Sequence, residues 1–157
     1  MPFPKVGNLA PDFSLPNQNN VNIRLKEFRG KSNVLLYFYP KASTPGCTSQ
    51  ACGIRDYHKE FKQLNTVVLA VSPDSSVKLQ KFDAKYNLDF HLLSDQDHGV
   101  AEAYGVWGLK KFMGREFMGI IRTSFYLGSN GKLLHIFDKV NTKTHHDDAI
   151  DYIRSLN

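Results

Sequence analysis

Apolar positions follow two periods along the chain, and the switches between them outline its elements. Near the start, Phe13, Leu15, Val21 and Ile23 alternate with polar residues on either side of Asn17 to Asn20, the pattern of a short hairpin. Val34 to Tyr39 is an unbroken apolar and aromatic run closed by Pro40, as in a strand covered on both faces. After a short loop, Cys52, Ile54, Tyr57, Phe61 and Leu64 recur at spacings that keep one helical face apolar, with Asn65 as a stop. Thr66 to Val71 has the character of a second buried strand, and Ser72-Pro73-Asp74 leads into a helix over Val77 to Tyr86 with Leu79, Phe82 and Tyr86 on its apolar side. Phe90 to Leu93 is a short strand, Asp97 to Tyr104 a helix closed by Gly105, and a Gly- and Met-containing connection continues through Met118. Ile120 to Leu127 and Lys132 to Phe137 flank the tight-turn signal Ser129-Asn130-Gly131, and Thr144 with Asp147 can cap a last helix containing Ile150 and Ile153.

Parallel strands joined by helices, then an antiparallel hairpin and a closing helix, describe an α/β protein with a mixed central sheet flanked by helices and a short N-terminal hairpin. That order is compatible with a thioredoxin-like fold, although pattern alone does not select it over other three-layer arrangements. At 157 residues and 17.8 kDa, with 41% apolar and 22% charged residues, the chain has the size and composition of one folded domain, residues 1–157. The formal charge of +5 is scattered and contains no basic run, so nucleic acid is not an expected partner. No apolar stretch approaches the ~18 residues of a membrane span, and Met1 to Phe13 has no signal-like apolar segment, so no membrane partner is expected and a cytoplasmic location is the default.

Cys47 and Cys52 are the only two cysteines. A lone close pair is too few for a disulfide scaffold and is more often catalytic or metal-binding. A zinc site would need further ligands, and the adjacent His145 and His146 point about 100° apart on a helix, so no metal is expected. Cys47 lies between the end of a buried strand and the start of a helix, where ligands usually bind in open α/β sheets. With Thr44 as N-cap, Pro45 takes the first helical position and Cys47 the third, where a capping box would place a carboxylate. Free N–H groups there favour an anionic thiolate, the nucleophilic form of cysteine. The alternative is an inert cysteine that merely fills space.

Cys52 is five residues further on. In an intact helix that separation rises about 7.5 Å and turns about 500°, leaving the Cα atoms roughly 8.6 Å apart. Bridged cysteines have Cα atoms within about 7 Å, so a disulfide requires the first turns to unwind. Cys52 is therefore either the resolving thiol of a two-state site or a core residue, and the former is favoured because reactive thiols often have a nearby partner.

The run Tyr39-Pro40-Lys41-Ala42-Ser43-Thr44-Pro45-Gly46-Cys47-Thr48-Ser49-Gln50-Ala51-Cys52-Gly53-Ile54-Arg55-Asp56 resembles the active site of peroxiredoxins of the bacterioferritin comigratory protein, or peroxiredoxin Q, group. The resemblance continues through Leu93-Ser94-Asp95, Tyr104-Gly105-Val106-Trp107-Gly108 and Arg122-Thr123-Ser124-Phe125. It implies a thioredoxin-like fold and a thiol peroxidase acting on hydrogen peroxide and organic hydroperoxides. It also implies Cys47 as peroxidatic and Cys52 as resolving cysteine, with Thr44, Arg122 and Pro40 completing the site. By the same resemblance no cofactor is needed, thioredoxin or a similar dithiol is the reductant, and a monomer is expected. Many relatives carry acidic residues where this chain has Ala42 and Gln50, so a carboxylate orienting Arg122 is in doubt here. The alternative function is a dithiol-disulfide oxidoreductase or redox sensor for protein thiols, against which the four-residue gap between the cysteines counts. Trp107, Phe112, Met113 and Phe117 are read as core rather than as a hydroperoxide pocket, His58, His91, His98 and His135 as surface or structural residues, and Thr144 to Asp148 as a helix start rather than a site.

Overall fold

The computed structural model describes residues 3–156; Met1, Pro2 and Asn157 lie outside the described residues, and with them the ends of the expected 1–157 unit. A two-stranded antiparallel hairpin, β1 (Ser14–Pro16) and β2 (Asn22–Arg24), opens the fold, with Leu15 opposite Ile23. Phe13, Leu15 and Ile23 are buried as their alternation implies, but Val21 is exposed at the end of the turn, where its N–H and C=O both bond to Asn17.

The central sheet contains β3 (Asn33–Phe38), β4 (Thr66–Ser72), β5 (His91–Ser94), β8 (Thr123–Leu127) and β9 (Leu133–Phe137), in the order β5-β4-β3-β8-β9. The first three are parallel and the last two antiparallel to their neighbours. The unbroken apolar run of β3 is explained by burial on both faces. Val34, Leu36 and Phe38 join one core with the N-terminal hairpin and Tyr104, whereas Leu35, Tyr37 and Tyr39 join another with Ile54, Phe61, Phe82 and Ile150. Each fully buried side chain of this size contributes about 1.5–3 kcal/mol.

The remaining elements are a short 3-10 helix (Leu25–Phe28), α1 (Pro45–Asp56), α2 (His58–Gln63), α3 (Ser76–Tyr86), α4 (Gly99–Ala103), α5 (His145–Ser155) and the strands β6 (Trp107–Phe112) and β7 (Arg115–Ile120). Four differences from the pattern have local causes. The single helix expected through Leu64 is broken at Tyr57, whose N–H bonds back to Ile54 and whose ring packs on His146 at 4.7 Å between centroids. α4 is shorter than Asp97 to Tyr104 because the Asp95 carboxylate receives the N–H groups of Val100 and Ala101, and His98 sits at φ 50. At the last helix Thr144 donates to Asp148 rather than pairing with Asp147. The expected connection through Met118 is a β-hairpin, and Ile120 ends β7 instead of opening β8. Its turn places Met113 at φ 51 and Gly114 at φ 78, the positive values that a two-residue hairpin turn needs. Phe112, Met113 and Phe117 are exposed on it, so they are not core residues; Trp107 is half-buried, stacked on His98 at 3.9 Å.

Candidate active site

Parallel β3, β4 and β5 all end at one edge of the sheet, and antiparallel β8 begins there, with Phe38 paired to both Val71 and Thr123. The loop after β3, the loop after β4 and Arg122, just ahead of β8, therefore meet at one place. Asp74, buried after β4, accepts the Ala42 N–H at 2.7 Å and the Ser72 hydroxyl at 2.9 Å, which anchors the loop into α1. Within that loop Ser43 is held at φ 67, a left-handed conformation costly for a residue with a Cβ.

Thr44 is the N-cap of α1, Pro45 occupies its first position, and Cys47 falls in its first turn, as the sequence implies. The Thr44 hydroxyl does not cap the helix; it donates to the Lys41 carbonyl at 2.8 Å. Cys47 is 1% exposed, and Arg122 Nη2 lies 3.3 Å from its Sγ. Pro40 is half-buried at the end of β3, beside the loop. Cys52 is half-buried on the same unbroken helix, and both cysteines are free thiols. The structure thus brings Cys47, Arg122, Thr44 and Pro40 to one edge of the sheet and holds Cys52 apart from Cys47 by helix geometry.

Arg122 is oriented without a carboxylate. Its Nη1 donates to Oε1 of Gln50, a fully buried side chain one helical turn beyond Cys47. Gln50 Nε2 in turn lies 3.1 Å from His145 Nδ1, and His145 Nε2 lies 2.7 Å from the Ser124 hydroxyl. Burial, with His146 and Arg122 adding to it, pushes His145 down to about 3. Tyr37, whose ring is 5.4 Å from that of His145, is pushed up by burial and by Tyr39 and Cys47, so it stays neutral. Lys110 on β6 is lowered by partial burial and by Arg122. Gln50, Ser124, His145 and Lys110 were not among the residues expected at the site. Gln50 carried a usable signal in its spacing from Cys47; His145 opens the helix expected after Thr144, and its contact with Gln50 adds to that reading. Among the described residues no cluster of three or more His, Cys, Asp or Glu could hold a metal, and no helix is long and apolar enough to cross a membrane.

The sequence profile of the AhpC/TSA family matches residues 6–136. The chain belongs to that family. It is 56% identical to the putative peroxiredoxin bcp of Haemophilus influenzae over 96% of this chain and 97% of that one. Among solved structures, peroxidoxin BcpB of Mycobacterium tuberculosis superposes with a TM-score of 0.86 at 34% identity, covering 98% of both chains. A Xanthomonas campestris bacterioferritin comigratory protein, described for its alkyl peroxide reduction activity, superposes with a TM-score of 0.86 at 28% identity over 92% of this chain and 91% of that one. The fold is the thioredoxin-like fold of peroxiredoxins of the Bcp and peroxiredoxin Q group, and the protein is a thiol peroxidase that reduces hydroperoxides.

Proposed function

We propose that the peroxidase reaction runs through Cys47 as nucleophile and Cys52 as resolving thiol. The Cys47 thiolate attacks one oxygen of ROOH; an S–O bond forms as the O–O bond breaks, giving a sulfenic acid and, after protonation, ROH. Cys52 then attacks that sulfur, the S–S bond forms, and the sulfenic oxygen leaves as water. A thioredoxin-like dithiol returns both thiols. The approach of Arg122 Nη2 to 3.3 Å from a Cys47 sulfur in the first turn of α1 is the observation that carries this assignment. The guanidinium and the helix N-terminus both favour the thiolate and the negative charge that develops on the departing oxygen.

Thr44 completes the site by turning its hydroxyl from the Lys41 carbonyl to the peroxide, a rotation about one side-chain bond. Pro40 shields the reacting atoms from water. No cofactor enters the scheme. Both hydrogen peroxide and alkyl hydroperoxides are substrates, the protein acts as a monomeric single domain over residues 1–157, and two free thiols suit the reducing cytoplasm. A peroxidase assay with hydrogen peroxide and an alkyl hydroperoxide, driven in turn by thioredoxin and by glutathione, tests the scheme. Turnover with both peroxides and thioredoxin is expected. Normal turnover by Cys47→Ser would end it.

A further inference from the structure

If Cys47 and Cys52 are the reacting pair, α1 must be intact for the first chemical step and unwound for the second. Gln50 lies between the two cysteines, so its side chain moves with the segment that unwinds. Its two ends are tied to different elements: Oε1 to Arg122 ahead of β8, and Nε2 to His145 on α5 at 3.1 Å. His145 is anchored by Ser124 at 2.7 Å, and Gln50, His145 and Ser124 are each at most 1% exposed.

The direction of these bonds is dictated by the groups. A guanidinium only donates, so the amide must present Oε1 to Arg122 and Nε2 to His145. Nε2 only donates, so His145 Nδ1 must be the acceptor, and the neutral ring carries its proton on Nε2, donated to the Ser124 hydroxyl. A flipped amide, or a doubly protonated ring, would set donor against donor. The histidine tautomer therefore fixes the amide, and the amide fixes the guanidinium beside Cys47 Sγ.

We propose that His145 is a positioning residue: through Gln50 it holds Arg122 on the Cys47 thiol and latches the first turns of α1, so that the latch must open before the Cys47–Cys52 disulfide forms. This inference rests on the roles assigned to Cys47 and Cys52 above. The latch sets a partition. While it is closed, a Cys47 sulfenate stays beside Arg122, where a second ROOH can oxidise it to the sulfinic acid and leave as ROH. Once it opens, Cys52 reaches the sulfur and water leaves.

The test is His145→Phe, which retains a ring against Tyr37 and Phe137 but neither hydrogen bond. In rapid-mixing experiments with hydrogen peroxide, the rate constant of Cys47 oxidation should fall about tenfold, as for loss of one directed hydrogen bond within a charged network. The midpoint of thiolate absorbance should move up in pH, disulfide formation from the sulfenic acid should accelerate several-fold, and the sulfinic fraction at high peroxide should drop. His145→Asn, whose amide oxygen can stand near the site of Nδ1, should recover part of each change. Gln50→Met breaks the same tie without altering α5 and should repeat the pattern should His145→Phe fold poorly. Unchanged oxidation and resolution rates in a destabilised but folded variant would overturn the proposal, as would a parallel fall of both. The ¹⁵N shifts of His145 in the resting wild-type protein should show the Nε2–H tautomer; the other tautomer also overturns it. Wild-type Cys47 that does not react with peroxide would instead refute the catalytic assignment, independently of the tautomer.

Discussion

The two cysteines share one helix yet occupy opposite environments. Cys47 is sealed, 1% exposed, with Arg122 against its sulfur and the anchored loop behind it. Cys52 is half-buried, and next to it Gly53 presents bare backbone to the ring of His146. Under the proposed scheme the first thiol needs its charges already in place, whereas the second can reach it only after the first turns of α1 unwind. The sealed, hydrogen-bonded first turn thus suits the first step and is the part that must give way for the second.

The contrast can be broken hardest at the sulfurs. Cys47→Ser should abolish peroxide consumption, whereas Cys52→Ser should still consume one equivalent of peroxide and accumulate sulfenic acid detectable by trapping with a dimedone-type reagent. Equal loss of the first oxidation in both would erase the distinction. Next, Arg122→Lys keeps the charge but cannot hold Cys47 and Gln50 together with one ammonium, so the second-order rate constant with hydrogen peroxide should drop by about 10²-fold.

A smaller effect concerns acid stability. His145 is held at about 3 in the folded chain against an ordinary value of 6.5, so the unfolded chain binds the extra proton first. Its contribution is fully present above pH 6.5 and is lost as the pH falls towards about 3, at up to about 1.4 kcal/mol per pH unit. Urea unfolding across that window should therefore show a shallower pH slope for His145→Phe than for wild type.

Smallest is Gly53→Ala. In an ordinary helix interior alanine stabilises by about 0.8–1 kcal/mol relative to glycine. Here a Cβ would stand 2.9 Å from His146 Cε1 and closer still to Nδ1, so the sign should reverse. Thermal unfolding should show a loss of about 1 kcal/mol or more, recovered in the Gly53→Ala, His146→Ala double variant.

What could be foreseen from the residues depended on how local the signal was. β3 was legible because burial on both faces leaves an uninterrupted apolar run, and Cys47 because Thr44, Pro45 and Gly46 announce a helix start within three residues. The β6–β7 hairpin was not, since much of it meets solvent and its turn uses Met113-Gly114 instead of an asparagine-glycine pair. Arg122 was reached only through a family resemblance, because its nearness to Cys47 arises from strand pairing between distant parts of the chain. The Gln50–His145 contact had no pattern to betray it: one partner is a polar residue on a helix and the other sits beside a second histidine at the start of another.

The pairing of Phe38 with Thr123 has a further consequence. Strand neighbours act as a ruler with a graduation of one residue, and the cation is mounted one mark before the start of β8. Sliding β8 by a single step along β3 would send alternate side chains to the opposite face and carry the guanidinium away from the sulfur. A one-residue slip of β8 against β3 would thus silence the chemistry with no residue around the thiol substituted.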